Sequence, residues 1–372
     1  MKAEKDFHDI AKSFDIEING SRASDIQVHS PDFYKSIISS GSLGLGDAYV
    51  DGLWDCENIS EFIFKVSRVD GSNIKFKKNL RLMLFLAKHR FFNLQSVKRS
   101  VAVCDQHYNL GNDLYEKMLD SELNYSCGYW KNASNLEEAQ QNKLDLICRK
   151  MYLKPGMRIL DVGCGWGSFA RFSAKNYGVE VVGITISKEQ IKYANDNIDD
   201  LPIKFLLQDY RDYEADKFDR IISIGMFEHV GIKNYKTYFN KLNGLLKDDG
   251  LFLLHTIGSN ETCVDPEPWI EKYIFPNSKL PSIVQITKAM EKFFYFEDVH
   301  SFGTDYDKTL MAWNDNFINS WDSIKHNYDE RFYRIWTYYL QFCAGGFRGR
   351  MNQLWQLVLS KDGVVGGYDS VR

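Results

Sequence analysis

Two groups of residues in this chain have the types and spacing to do chemistry. The first is Asp161-Val162-Gly163-Cys164-Gly165-Trp166-Gly167, directly after the apolar run Arg158-Ile159-Leu160. Glycines at alternate positions let a backbone turn sharply and approach a ligand where a Cβ would clash. The helix expected behind them, over Ser168, Phe169 and Ala170, presents free backbone N–H groups at its start. The second group is Glu228 in Gly225-Met226-Phe227-Glu228-His229-Val230-Gly231, His255 in Leu254-His255-Thr256-Ile257-Gly258, Tyr306 in Gly303-Thr304-Asp305-Tyr306, and Cys127 in Tyr125-Ser126-Cys127-Gly128. A carboxyl, an imidazole and a phenol gathered in one pocket can move protons or hold an anion. Taken singly, each has an ordinary reading: a core histidine, a turn tyrosine, a helix cap. Metal ligation stands second, because neither H-x-x-x-H nor an equivalent ligand spacing occurs.

The spacing of the glycines selects a cofactor class. Nicotinamide-binding units carry G-x-G-x-x-G and, about 20 residues later, an acid that holds the ribose. Here the next apolar run, Val179 to Ile184, ends at Thr185, and no Gly-Lys-Ser/Thr triphosphate motif is present. An aspartate ahead of G-x-G-x-G, followed by a polar second tip, resembles the nucleotide-binding half of an S-adenosylmethionine (AdoMet) methyltransferase. A glycine-rich turn that binds nothing is the alternative.

These residues need a sheet to position them, and its pattern is present. Strands are expected at 158–163, 179–185, 203–208, 218–225 and 250–257, with helices between them, for instance Ser187 to Ile198 and Asn234 to Leu246. Such alternation implies a parallel sheet covered on both faces, with ligands beyond the C-terminal strand ends. Ahead of it, the run Gly41 to Asp47 reads as a tight glycine-rich turn in a small α+β or helical domain. Behind it, the stretches 270–275, 290–296 and 332–340 are aromatic and suited to a lid or wall over the strand ends.

The 372 residues suit about two domains. Hydrophobic residues at 44% provide for a large core, and a net charge of −4 argues against nucleic acid as partner. Seven scattered cysteines without a C-x-x-C pair read as free thiols of a reducing compartment. The charged start Met1 to Asp6 does not read as a signal peptide, and no run reaches the ~20 apolar residues of a membrane span. Between Asp70 and Asp105 no acid occurs, while eight Lys/Arg, among them Lys75, Lys77, Lys78 and Arg81, interleave with Phe and Leu. That segment is either an interfacial helix for anionic lipid or a linker with a solvated basic face.

Together, Tyr125 to Trp130, the Asp161–Gly167 turn, Gly225 to Gly231, His255 to Gly258, Tyr306, the Leu43–Asp55 run and Gln341 to Arg348 resemble the cyclopropane-fatty-acyl-phospholipid synthase family. The likeness covers nearly the whole chain, including the additional N-terminal domain of the bacterial phospholipid-acting branch. It implies a class I AdoMet methyltransferase of α/β class: a Rossmann-like, mostly parallel seven-stranded sheet with a small N-terminal domain. On this reading residues 1–90 form a lipid-associated domain, a linker runs to about 104, and 105–372 form the catalytic domain.

The family transfers the AdoMet methyl group to a cis double bond of a membrane phospholipid's acyl chain. The resulting carbocation loses a proton from the new methyl and closes to a cyclopropane. The resemblance implies bicarbonate as the base, held by the side chains of Glu228, His255 and Tyr306 and by backbone groups at Cys127 and Ile257. It implies AdoMet contacts at Tyr125, Ser126, Asp161, Gly163, Cys164, Gly165, Thr185, Ile186, Ser187, Lys188, Glu189, Gln190, Asp209, Tyr210 and Arg211. It also implies a homodimer working at the cytoplasmic membrane surface. Cys343 is a second family cysteine, although no step of this chemistry requires a thiolate. Two other classes stay open on the sequence: a methyltransferase acting on a lipid headgroup nitrogen, and a lipid-binding protein with an inert cofactor fold.

Overall fold

The computed structural model describes residues 2–68, 111–262 and 266–372. In chain order these form α1 (Lys2–Ser13), β1 (Gln27–Val28), α2 (Asp32–Val50), β2 (Trp54–Asp55), α3 (Ile59–Ser67), α4 (Asn112–Met118), α5 (Leu136–Lys150), β3 (Arg158–Val162), α6 (Ser168–Tyr177), β4 (Glu180–Thr185), α7 (Lys188–Asp196), β5 (Ile203–Leu207) and β6 (Phe218–Ile224). There follow α8 (Tyr235–Leu245), β7 (Leu246–Ser259), α9 (Pro268–Tyr273), α10 (Ile283–Met290), β8 (Tyr295–Ser301), α11 (Thr304–Ile324), α12 (Glu330–Arg348) and β9 (Asn352–Ser360). The described residues fall into two compact units: 2–68, 266–276 and 306–352 in one, and 111–262, 277–305 and 353–372 in the other.

The second unit is built on the seven-stranded sheet, in the order β5-β4-β3-β6-β7-β9-β8. Its first five strands pair in parallel, and β8 pairs antiparallel with β9. Successive residues of the central strands enter opposite cores. Leu160, Ile221 and Phe252 join Tyr238 and Phe239 of α8, whereas Ile159, Ile222 and Leu253 join Ile147 of α5 and Phe169 of α6. Period-two alternation with apolar residues on both faces requires helices on both sides, and the chain supplies them.

Local chemistry sets the helix starts: the side chains of Asn135 and Ser187 accept from Glu138 N and Gln190 N. Five strands are legible as parallel alternation. The pair β8 and β9 is not, because its antiparallel strands are separated in the chain by the two helices α11 and α12. The stretch 290–296, expected in a lid, instead ends α10 and begins β8.

The first unit is helical, with β1 and β2 forming a two-stranded antiparallel ribbon. Its core is aromatic: the buried Trp54 ring lies 6.0 Å from Phe33, 5.4 Å from Tyr49 and 5.5 Å from Phe62. The expected tight turn at Gly41–Asp47 is corrected here. Only Gly41 departs from helical geometry, at φ 58, and Gly44 and Gly46 lie within α2. They are small because backbone and rings press on them: a Cβ would strike Ser36 O at Gly44 and the Trp269 indole at Gly46.

The unit also takes in α9, most of α11 and α12, which a contiguous division near residues 90–105 assigns to the catalytic part. The cause is close helix packing. The backbone of α12 at Gly345 meets α3 so tightly that a Cβ would strike Ser60 O, and Arg348 bridges Glu61 and Asp307 at 2.9 Å each. Residues 332–340, expected in a wall over the strand ends, lie in α12 of this unit. The basic residues Lys75, Lys77, Lys78 and Arg81 lie outside the described residues. Among the described residues, no helix is long and apolar enough to cross a membrane.

Candidate active site

The site lies in the second unit, along the C-terminal ends of β3, β4, β6 and β7. The turn after β3 is held from one side: Gly163 N and Cys164 N both donate to Ile184 O at the end of β4, at 2.9 and 3.1 Å. Two of its glycines are required for different reasons. At Gly163 the φ is 82 and a Cβ would press on Met226, whereas at Gly165 the φ is 55 and no atom of the described residues stands within 4 Å of a Cβ. The turn is therefore left-handed where its side is open among the described residues, which suits the approach of a ligand to its backbone.

The neighbouring tip is tied to itself. Thr185 Oγ1 donates to Gln190 Oε1 at 3.1 Å and accepts from Ser187 N at 3.2 Å, and Thr185, Ser187 and Gln190 are buried. At the third tip, Arg211 makes a two-pronged ion pair with Asp209, at 2.8 and 2.6 Å. Tyr210 beside them turns into the core, with its ring 5.3 Å from Tyr238. Of these three, Asp209 has its carboxylate engaged by its neighbour, and Tyr210 serves the core.

Glu228 sits in a short 3₁₀ turn, Phe227–His229, directly after β6. Its Oε1 accepts from Ile257 N at 2.6 Å, and its Oε2 is buried with no partner among the described residues. Burial pushes its carboxyl up to about 7 from an ordinary 4.5. His255 and Ile257 are two residues apart on β7, so the strand end that carries His255 also supplies the N–H that holds Glu228. The expected end of this strand at 257 moves to Ser259, so His255 lies within the strand, opposite Ile224 of β6.

The His255 ring is fully buried. Its Nδ1 meets the Gln356 amide nitrogen of β9 at 3.2 Å, and its Nε2 has no partner among the described residues. Burial first, then the positive charges of Lys143 and Lys150, holds this imidazole neutral, well below its usual range. In this orientation of the Gln356 amide, Nδ1 accepts and the ring proton sits on Nε2. The site thus holds an unmatched donor and an unmatched acceptor, both buried, on adjoining strand ends.

Cys127 is buried, and its thiol donates to Gly128 O at 3.2 Å, so its side chain is directed at its own loop. Tyr125 of that loop packs at 5.4 Å on Tyr115, which lies 4.9 Å from Trp166 of the glycine turn. Ile257 is occupied differently from the expectation: its N–H serves Glu228, so it holds the carboxylate rather than standing open to an anion.

Tyr306 and Cys343 belong to the first unit. Tyr306 lies in the first turn of α11, not in a loop, with its ring 4.6 Å from Phe347 and 6.0 Å from Trp313. Burial and the buried carboxyl of Glu267 push the Cys343 thiol far up, so it stays protonated.

Sequence reasoning missed Gln356 and the group around Lys143. Their signal was a polar residue within an apolar pattern: Gln356 in the buried strand β9, and Gln140 and Lys143 among the inward positions 136, 139, 140, 143, 144 and 147 of α5. Among the described residues, no cluster of His, Cys, Asp or Glu could hold a metal ion.

A parallel sheet of this order with a glycine turn after its first strand and an open left-handed step at Gly165 defines a class I AdoMet-dependent methyltransferase. The comparisons narrow this further. The profile of the mycolic acid cyclopropane synthetase family matches residues 95–357, and the chain belongs to that family. It is 55% identical to the cyclopropane-fatty-acyl-phospholipid synthase of Escherichia coli strain K12, over 95% of this chain and 91% of that one.

Among solved structures it is similar to the cyclopropane synthase MmaA2 from Mycobacterium tuberculosis, with 31% identity and a TM-score of 0.66 over 70% of this chain and 98% of that one. It is equally similar to the mycolic acid cyclopropane synthase CmaA1 complexed with SAH and CTAB, with 33% identity and a TM-score of 0.65 over the same shares. The protein is an enzyme, an AdoMet-dependent transferase of the cyclopropane-synthase type.

Proposed function

We propose that this enzyme converts cis double bonds in the acyl chains of membrane phospholipids into cyclopropane rings, using AdoMet as the one-carbon donor and bicarbonate as the base. The observation that carries the reading is that Glu228 Oε2 and His255 Nε2 are both buried and unmatched among the described residues, on residues that β6 and β7 bring to the same end of the sheet. Native proteins rarely leave such atoms unmatched without a use for them. The proposed occupant is a small oxyanion with one proton, which donates to Glu228 and accepts from His255.

The chemistry explains why a nucleophile-activating base is missing. An alkene attacks the methyl sulfonium directly, so one C–C bond forms as the S–CH₃ bond breaks. The second C–C bond closes as a proton leaves the new methyl. AdoMet supplies the methyl group, and bicarbonate supplies the basic oxygen for that proton. The chain's own residues hold and exclude. Ile257 N fixes Glu228 Oε1, so Oε2 has one direction in which to accept a proton. Gln356 fixes the His255 ring so that Nε2 remains a donor. The surrounding Phe227, Phe302 and Tyr129 keep water away from a cation that water would quench, and aromatic faces can stabilise positive charge in passing.

The glycine turn, Tyr125 and Ser126 are proposed to hold the amino-acid end of AdoMet, the tip Thr185 to Gln190 the ribose, and Asp209 to Arg211 the adenine. Tyr306 is proposed as a further hydroxyl for the oxyanion, on its motif alone, and the backbone at Cys127 as a further donor. Peripheral binding to anionic membranes through Lys75, Lys77, Lys78 and Arg81, and assembly as a homodimer, are parts of the same proposal.

The decisive experiment incubates the protein with AdoMet, bicarbonate and vesicles of unsaturated phosphatidylglycerol and phosphatidylethanolamine, then fragments the lipids by mass spectrometry. One CH₂ gained within the acyl chain, with loss of the alkene, is expected. Headgroup methylation over intact alkenes overturns the reading. Charge reversal of the four basic residues is expected to release the protein from the anionic vesicles, and unchanged sedimentation counts for a linker.

A further inference from the structure

Resting on the cofactor reading above, we propose that Lys143 is a positioning residue of the AdoMet site, acting through Ser126 and Asn124 on the amino-acid end of the cofactor. Lys143 projects from α5 and is fully buried. Its ammonium donates to Asn124 Oδ1 at 2.9 Å and to Ser126 Oγ at 3.0 Å. Gln140, one turn earlier on the same helix face, donates to Ser126 O at 2.9 Å. The two side chains hold the loop that begins the Tyr125-Ser126-Cys127 motif.

Asn124 extends the hold to the glycine turn. Its Oδ1 also accepts from Ser168 Oγ at 2.8 Å, at the first residue of α6, and its own amide donates to Asp120 at 2.6 Å. Ser126 reaches the strand ends: its Cβ lies 3.8 Å from where a Cβ on Gly225, just past β6, would stand. One cation therefore links the loop, the start of α6 and, through Ser126, the cleft above the sheet.

Its chemical effect follows from the hydroxyl's inventory. A serine oxygen has two lone pairs and one hydrogen. With the ammonium taking a lone pair, the hydrogen turns away from Lys143 as a polarised donor. Beside a buried cation, in a loop that Asn124 ties to the start of α6, the ligand such a donor suits is a carboxylate. AdoMet carries one at its amino-acid end. Asp161, at the end of β3, is buried with Oδ2 unmatched, and Lys143 is the cation acting on it.

The test measures the binding of S-adenosylhomocysteine and of methylthioadenosine, which lacks the amino-acid end, to the full-length protein by calorimetry. The Lys143→Met variant is expected to bind S-adenosylhomocysteine about tenfold or more weakly, as for leaving buried groups unmatched. It should bind methylthioadenosine within about twofold of wild type. Equal losses for both ligands would mark Lys143 as merely structural, and no loss would remove it from the site; either result overturns the proposal.

The Ser126→Ala variant leaves the lysine in place and should show the same selective loss, with the double variant no worse than Lys143→Met alone. Full additivity, or a Ser126→Ala variant that binds as wild type, overturns it as well. A wild type that fails to favour S-adenosylhomocysteine over methylthioadenosine refutes the cofactor reading itself, which is a distinct result.

Discussion

Replacing Glu228 by Gln separates the cost of the proposed site from its use. The carboxyl is fully buried, and burial lifts it to about 7 from 4.5. The folded protein therefore keeps this proton over a range in which the unfolded chain has lost it. Its stability falls as pH rises from about 4.5 to about 7, and above that range the loss is complete. The size of the lift sets that loss at about 3 kcal/mol.

The glutamine of the Glu228→Gln variant has no proton to lose, and its amide oxygen can keep the 2.6 Å bond from Ile257 N. Wild type and Glu228→Gln should thus melt at nearly the same temperature near pH 4, as an order-of-magnitude expectation. At pH 8 the variant should melt higher by roughly 4 °C. The assay is differential scanning calorimetry in bicarbonate-free buffer without AdoMet. The same variant should lose about 10²–10⁴-fold in cyclopropane formation, since it cannot accept a proton at that position. A melting difference that stays constant from pH 4 to pH 8 would refute the reasoning, because the carboxylate would then be solvated or already paired.

Three further outcomes are expected. Gln356→Leu removes the group that meets His255 Nδ1, frees the ring to move its proton off Nε2, and should lower turnover about tenfold with AdoMet binding retained; turnover equal to wild type counts against a fixed tautomer. Gly165→Ala places a Cβ at φ 55 in open space, so strain alone should cost about 1–2 kcal/mol and weaken S-adenosylhomocysteine binding by about tenfold, measured by calorimetry. Cys343→Ser should keep cyclopropane formation within about twofold of wild type, because the thiol is held protonated and no step needs it; a hundredfold loss in the same lipid assay would show that it does.

Much of the site was legible because its parts are local. The glycine turn, the polar tip at Thr185 and the Glu228 motif each lie within a few residues, and strand-to-helix alternation determines where such segments end. The same logic gave five parallel strands. It failed at β8 and β9, whose antiparallel pairing depends on a partner far along the chain, as Tyr295 with Ser360. It also failed for the glycines of α2, where Gly44 and Gly46 look like turn residues but answer to Ser36 and Trp269 pressing on a helix.

By itself the sequence determined the family, the parallel sheet and the identity of the residues at the strand tips, since these follow from short-range pattern and backbone conformation. Only the tertiary structure decided how those residues are held. Ile257 N reaches Glu228 because β7 lies beside β6. Gln356 reaches His255 because β9 lies beside β7, and Lys143 reaches Ser126 because α5 packs beneath the loop. Each partner comes from a distant segment. Which of two buried polar groups faces the other depends on strand order and helix packing, which no local pattern encodes.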